Sequence, residues 1–143
     1  MAKYFTKLSH ARITLSPFTS EQMADIGDAV LTSIKDRIVQ AVDTNDNQAK
    51  PLTDKYAKRK MAYGMNPVRD WTFTGRTLGS LKVKSANENK VRLGAINERA
   101  DMVIGVQNRA NRLWGLSPKD DAVFRHEIIR QLTEKKMAKV EAA

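Results

Sequence analysis

The residues that could act as metal ligands or nucleophiles are few. The chain has no cysteine, so thiolate zinc sites, disulfides and cysteine nucleophiles are excluded. Its two histidines, His10 and His126, belong to no metal-binding spacing such as HExxH. A site built on His126 and Glu127 would need two further ligands. We therefore expect His126 to be a surface residue of a helix.

Serine nucleophiles and phosphate-binding loops have no stronger support. No serine lies in a GxSxG context, and the carboxylates fall mainly at expected helix starts and solvent faces. Gly75 and Gly79 do not have the GxxxxGKS/T spacing of a phosphate-binding loop. The sequence therefore predicts no catalytic residue, no metal, no cofactor and no enzymatic activity.

Positive charge is the strongest chemical signal. The formal net charge is +9, and residues 51–95 carry ten Lys or Arg against three Asp or Glu, whereas residues 1–50 carry six of each. Such a local excess binds phosphate, an anionic surface or an acidic protein. The run 58–60, with Tyr56 and Tyr63 nearby, could bind phosphate and stack on bases. A solvated loop face, or a surface that docks on an acidic protein, is the alternative interpretation.

Hydrophobic periodicity predicts the elements that position this charge. Apolar residues recur at three- and four-residue steps over 19–42, which is typical of an amphipathic helix, with Ser16 or Thr19 as its N-cap. A short basic helix is predicted over 54–62. Its inward anchors are expected to be Tyr56, Met61 and Tyr63.

A β-hairpin is predicted in the second half of the chain. Residues 81–84 and 91–94 alternate apolar and charged side chains around an Asn-rich turn, so each strand has one apolar and one basic face. A turn before the hairpin leads into a short helix that carries Leu78 and Leu81. The apolar residues over 97–107 fit either a short helix or an irregular strand, and we favour the helix.

The last helix has a clear start signal. Ser117 is placed to cap it, with Pro118 at the first helical position and acidic residues behind it. Its buried stripe is expected at Val123, Phe124, Ile128, Ile129 and Leu132.

Together these elements predict an α+β fold, with a long N-terminal helix and a C-terminal helix packed on a small antiparallel sheet. We expect a single domain over 1–143, with an N-terminal arm at 1–16 and a flexible basic insertion at 43–73. Residues 11–15 of the arm alternate polar and apolar side chains, as in a short strand. No signal peptide and no membrane-spanning apolar run is apparent, so we expect a soluble protein.

Four segments form an ordered set at residues 51–60, 71–81, 91–94 and 113–120. They read PLTDKYAKRK, WTFTGRTLGSL, VRLG and LWGLSPKD. In this order they resemble the virion morphogenesis family of tailed bacteriophages, the tail completion group of Mu G-like and P2 S-like proteins. That family carries a PL…YA.RK segment, a TGRLL.SL turn, a β-hairpin and an F.GLS..D entry to the last helix. The chain departs from the family over 95–112, where relatives carry a YA..H..G segment and a Pro-rich stretch.

The resemblance implies a structural subunit of the phage neck or tail that joins head and tail or completes the tail. It implies a homo-oligomeric ring, hexameric or dodecameric, around the DNA channel, with portal, adaptor and tail proteins as partners and no cofactor or membrane. The protein would assemble in the host cytoplasm and end in the virion, with non-specific contact to genomic DNA left open. The alternative function is a small basic nucleic-acid-binding protein.

The partner and oligomer contacts of such a subunit are expected in the basic segment and at the loop tryptophans. Trp71 and Trp114 could each anchor a loop to the core or fill a pocket of a neighbour. The predicted contact residues are Lys55, Tyr56, Lys58, Arg59, Lys60, Trp71, Thr74, Gly75, Arg76, Trp114 and Leu116.

Overall fold

A computed structural model describes residues 18–70 and 76–142. Within these ranges the helices are α1 (Ser20–Val39), α2 (Asp54–Ala62), α3 (Arg76–Gly79), α4 (Glu98–Ala110) and α5 (Pro118–Ala142), and the strands are β1 (Leu81–Ala86) and β2 (Val91–Ala95). The α+β class is therefore as the sequence predicts. The predicted strand at 11–15 lies outside the described residues, as do Trp71, Thr74 and Gly75.

Helix α1 is capped at its N-terminus by Thr19, one of the two predicted caps. The Thr19 hydroxyl accepts a hydrogen bond from the Gln22 N–H at 3.2 Å, and Gln22 Oε1 accepts one from the Thr19 N–H at 3.0 Å. This reciprocal capping box satisfies two of the donors that the first helical turn leaves without partners. The predicted apolar positions Met23, Ile26, Val30, Ile34 and Ile38 are buried, and Leu31, which was not predicted, is buried with them. Val39, predicted on the same face, is 48% exposed, and the predicted Val42 lies beyond the end of the helix.

The β1–β2 hairpin lies directly on α1. The strands pair antiparallel, with Leu81 opposite Ala95 and a bulge at Lys84. Gly27 of α1 permits the close approach, since a Cβ there would lie 2.5 Å from Cγ2 of Val91. The hairpin therefore needs a residue without a side chain at this point of the helix.

Helix α1 contributes to two hydrophobic clusters. The first consists of Val30, Ile34, Ile38, Ala41, Ala49 and Leu113. The second consists of Leu31, Leu81, Ala95, Ala100 and Ile104. Trp114 is half-buried and packs against both clusters, which favours the interpretation of this tryptophan as a core anchor.

A buried ion pair joins α5 to α1. Arg37 Nε donates to Asp120 Oδ2 at 3.0 Å, and the two side chains are 5% and 1% exposed. Asp120 also accepts from the Ser33 hydroxyl at 2.7 Å and from the Ser117 N–H at 2.9 Å. The remaining guanidinium nitrogens of Arg37 donate to the carbonyl oxygens of Val42 and Gly115. The predicted cap of the last helix is thus also the attachment of that helix to α1.

The predicted buried stripe of α5 is wrong at two positions. Ile129 is 63% exposed and Leu132 is 38% exposed, whereas Val123, Phe124 and Ile128 are half-buried. The ion pair fixes Asp120 toward α1, and nine residues at 100° each place Ile129 on the opposite side of the helix. Gln131 follows Asp120 by eleven residues on the same side and is buried.

The predicted helix at 54–62 is confirmed, and so is the helix predicted at 97–107, which extends to Ala110. The short helix before the hairpin carries Leu78 as expected, but Leu81 is the first residue of β1. The reason is that Leu81 pairs with Ala95 and is fully buried in the second cluster. The flexibility of the 43–73 insertion stays a prediction.

Candidate interaction surface

A cleft of about 850 Å³ lies between α2 and α4. Helix α2 contributes Tyr56 and Lys60 to its lining, and α4 contributes Arg99 and Val103. Arg76, at the start of α3, lines it as well. The walls therefore combine guanidinium groups with aromatic and aliphatic carbon, which suits a polypeptide partner better than a small apolar ligand.

An ion pair between Lys60 and Asp70 forms part of the cleft lining. Lys60 Nζ donates to Asp70 Oδ1 at 2.6 Å and to the Val68 carbonyl at 2.7 Å. Lys60 is 2% exposed, so the prediction that it belongs to the exposed basic surface is wrong. A lysine in a basic run is normally solvated, but this one has a carboxylate ten residues later that neutralises it on burial.

The predicted inward anchors of α2 are also wrong. Tyr56 is 38% exposed, Met61 55% and Tyr63 67%. The side of α2 that faces the rest of the molecule carries Lys60, because the paired ammonium occupies the place that an apolar anchor would take. The apolar and aromatic side chains of the helix are consequently available to a partner over a large part of their surface.

Arg69 fixes the loop that borders the cleft. Its Nε donates to the Lys50 carbonyl at 3.1 Å, and its Nη1 donates to Oε1 of Gln107 on α4 at 3.4 Å. Lys50 N–H in turn donates to Oδ1 of Asn111 at 2.5 Å. These bonds tie the segment before α2 to Gln107 in the last turn of α4 and to Asn111, its C-cap. The position of the segment before α2 relative to α4 is therefore defined.

The predicted contact residues fall into separate groups. Lys55, Lys58 and Arg59 are exposed on α2, and Arg76 is exposed beside the cleft. Trp114 and Leu116 are half-buried and pack against the first core cluster. The structure therefore brings Tyr56, Lys60 and Arg76 together at the cleft and places Trp114 and Leu116 in the body of the fold.

Two apolar residues that the sequence did not single out as contacts are exposed on α4, outside the lining of the cleft. Met102 is 65% exposed and Val106 is 54% exposed, one helical turn apart. The opposite side of α4 buries Ala100 and Ile104. A helix needs one apolar face to join a core, so a second pair at i, i+4 spacing was the signal that could have identified these residues.

The hairpin presents a second surface of different composition. Lys82, Lys84, Lys90 and Arg92 are exposed on the face turned away from α1. On α1, burial and, after it, the charge of Lys82 lower the pKa of Lys35, while Asp28 acts in the opposite direction. The predicted basic face of the two strands is therefore confirmed.

Among the residues that the structure describes, no three His, Cys, Asp or Glu side chains are close enough to hold a metal ion. Across the same residues no helix is sufficiently long and apolar to cross a membrane. The chain matches no protein-family model, no curated protein and no solved structure. The resemblance to the phage family therefore depends on the ordered sequence motifs alone and stays a prediction.

Proposed function

We propose that this protein is a structural subunit of a tailed-phage neck or tail, which joins head and tail or completes the tail as a homo-oligomeric ring around the DNA channel. Portal, adaptor and tail proteins are its partners in this proposal. The role is one of binding and positioning, and it requires surfaces that recognise protein rather than a catalytic centre.

The observation that carries the proposal is the surface around the α2–α4 cleft. Tyr56 and Arg99 line the cleft and are exposed, and the exposed apolar residues Met61, Met102 and Val106 lie on the same two helices outside its lining. Tyrosine, methionine and arginine are the residue types enriched in protein–protein interfaces, where large side chains become anchors once water is excluded. Met102 and Val106, one turn apart on α4, form an exposed apolar pair that is costly to leave in water, which favours a surface that is covered in the working state.

The motif set supports the proposal through the fold. Ser117 and Asp120 cap α5 and bind it to α1, Lys60 anchors α2, and Val91 packs on Gly27. Each of these residues has a structural task that a substitution would disturb. A shared fold therefore explains why such motifs occur in a fixed order, whereas a shared active site does not.

A ring of identical subunits needs two different patches on each subunit, because neighbours meet head to tail. The exposed apolar pair Met102 and Val106 on α4 supplies one patch. Ile129 and Leu132 on the outer side of α5 are a separate pair of exposed apolar residues. The molecule thus has apolar surface on more than one side, as a subunit with two neighbours requires.

The test is the oligomeric state of the purified protein and of two matched variants. We expect sedimentation velocity and electron microscopy to show closed rings for the unchanged protein. Met102→Ser combined with Val106→Ser should give a folded protein with normal helical circular dichroism that fails to close rings. The control is Val39→Ser, at an exposed apolar position on α1, which should leave assembly unchanged.

A protein that stays monomeric at high concentration, and that does not bind phage tails or portal complexes, would contradict the proposal. Portal and tail genes beside the coding gene would support it. Equal loss of rings in the Val39 variant would show that loss of any exposed apolar side chain, rather than of Met102 and Val106 in particular, prevents assembly.

A further inference from the structure

The outer face of the hairpin differs in composition from the rim of the cleft. Its outward positions are occupied by Lys82, Lys84, Lys90 and Arg92, with no aromatic or large apolar side chain among them. Lysine is depleted in protein–protein interfaces, whereas lysine and arginine without apolar anchors are typical of contacts to phosphate. The two surfaces therefore call for different partners.

The cations of this face are not neutralised within the described part of the chain. Lys82, Lys84, Lys90, Arg92 and the neighbouring Lys35 form no salt bridge there. By contrast, the arginines of α5 pair with carboxylates one helical turn away. Glu88 in the turn and Asp28 near Lys35 are the acidic residues at the edges of the face.

The outer face of the hairpin is exposed, and the strands that carry it are supported by α1. At Gly94 a Cβ would lie 2.9 Å from Cδ of Lys84, so the aliphatic part of Lys84 crosses over the glycine toward β2. The inner positions pack on α1 at Gly27, which holds the strands in place. The ammonium and guanidinium groups are therefore carried on a supported platform and not on a free loop.

Lys35 adds an observation that concerns the same charges. Burial and the proximity of Lys82 both lower its pKa, so the charged form is held at some cost in the unbound protein. An anion that covers the face would relieve this repulsion. The charge of Lys35 adds to that of Lys82, and such a concentration of positive charge attracts an anionic partner.

We infer that the outer face of the β1–β2 hairpin binds the phosphate backbone of double-stranded DNA without reading its sequence. A strand rises about 3.3 Å per residue, so the face from Lys82 to the turn is about 15 Å long. Duplex DNA carries a charge about every 1.7 Å along its axis, so phosphates outnumber the cations along such a contact. The inference goes beyond assembly and does not depend on ring formation.

The experiment is a salt titration of the binding of a mixed-sequence 25-base-pair duplex, followed by fluorescence anisotropy. Four phosphate contacts predict a slope of log K against log salt of about −3.6, which is roughly a hundredfold loss of affinity between 50 and 200 mM salt. Lys82→Gln combined with Arg92→Gln should reduce the magnitude of the slope by about 1.8. Lys55→Gln combined with Lys58→Gln removes the same charge from exposed positions of α2 and should leave the slope unchanged.

Circular dichroism of both variants establishes that they are folded. Absence of DNA binding at 50 mM salt overturns the inference, and so does an equal effect of the two charge pairs, which would indicate diffuse attraction by the net charge. Binding of polyglutamate as tight as that of DNA overturns it in favour of an acidic protein partner. Rings that form normally without any DNA binding would leave the proposed assembly function standing while removing this inference.

Discussion

Replacement of Asp120 by alanine tests the buried ion pair that joins α5 to α1. Asp120 is fully buried and accepts hydrogen bonds from the Arg37 guanidinium, the Ser33 hydroxyl and the Ser117 N–H. Asp120→Ala would leave the positive charge of Arg37 buried without its carboxylate. Breaking a buried pair in this way costs about 3–5 kcal/mol.

The size of this loss makes it measurable by urea denaturation followed by circular dichroism. Domains of this kind have about 5–15 kcal/mol of total stability, so the variant should lose a large part of it. A thermal midpoint lower by roughly 10–15 °C corresponds to such a change for a chain of this size. The double variant Arg37→Met with Asp120→Leu should be more stable than the sum of the two single losses predicts, because neither charge is then left unpaired.

The neighbouring Asp121 provides the matched control. Its ion pair with Arg125 lies at the surface, with side chains 25% and 65% exposed. Asp121→Ala should therefore cost at most about 1 kcal/mol. If Asp120→Ala changed stability no more than Asp121→Ala does, the buried network would not be what attaches α5 to α1, and the reasoning would fail.

Three further predictions concern stability. Gly27→Ala should destabilise the protein by about 1–3 kcal/mol in urea denaturation, because the added Cβ meets the hairpin. Gly105→Ala, at an exposed position on α4, should stabilise it by about 0.5–1 kcal/mol. A stabilised Gly27 variant would contradict the close packing. Lys60→Ala should lower the free energy of unfolding by about 3–5 kcal/mol. Lys58→Ala, at an exposed position two residues earlier, should lower it by less than about 0.5 kcal/mol. Equal losses would refute the assignment of Lys60 to the interior. The pKa of Lys35 is lowered on folding, so its charged form opposes folding. The free energy of unfolding, measured in urea, should therefore rise as the pH increases from the folded pKa of Lys35 toward 10.5. Lys35→Gln should remove that part of the rise.

The hairpin and the long helix could be predicted because local patterns determine them. Residues 81–84 and 91–94 alternate with period two, and α1 repeats its apolar residues with the period of a helix. The capping residues Thr19 and Ser117 are equally local, since each bonds to a backbone group three residues away. Both helix starts were therefore within reach of the sequence.

The roles of individual cations could not be predicted in the same way. Lys58, Arg59 and Lys60 are consecutive and chemically similar, yet only Lys60 is buried. Its burial depends on Asp70, which the chain brings to 2.6 Å only after α2 has folded back on the following loop. The exposed apolar residues Met102 and Ile129 illustrate the same point, because apolar character alone does not say which face of a helix meets the core.

The sequence by itself determined the α+β class, the order and approximate limits of the helices and the hairpin, and the concentration of positive charge in residues 51–95. These properties follow from periodicity, capping and composition, which act over a few residues. The tertiary structure decided which charges are neutralised and which remain on the surface. That division depends on contacts such as Arg37 with Asp120, 83 residues apart, in which each charge offsets the cost of taking the other out of water.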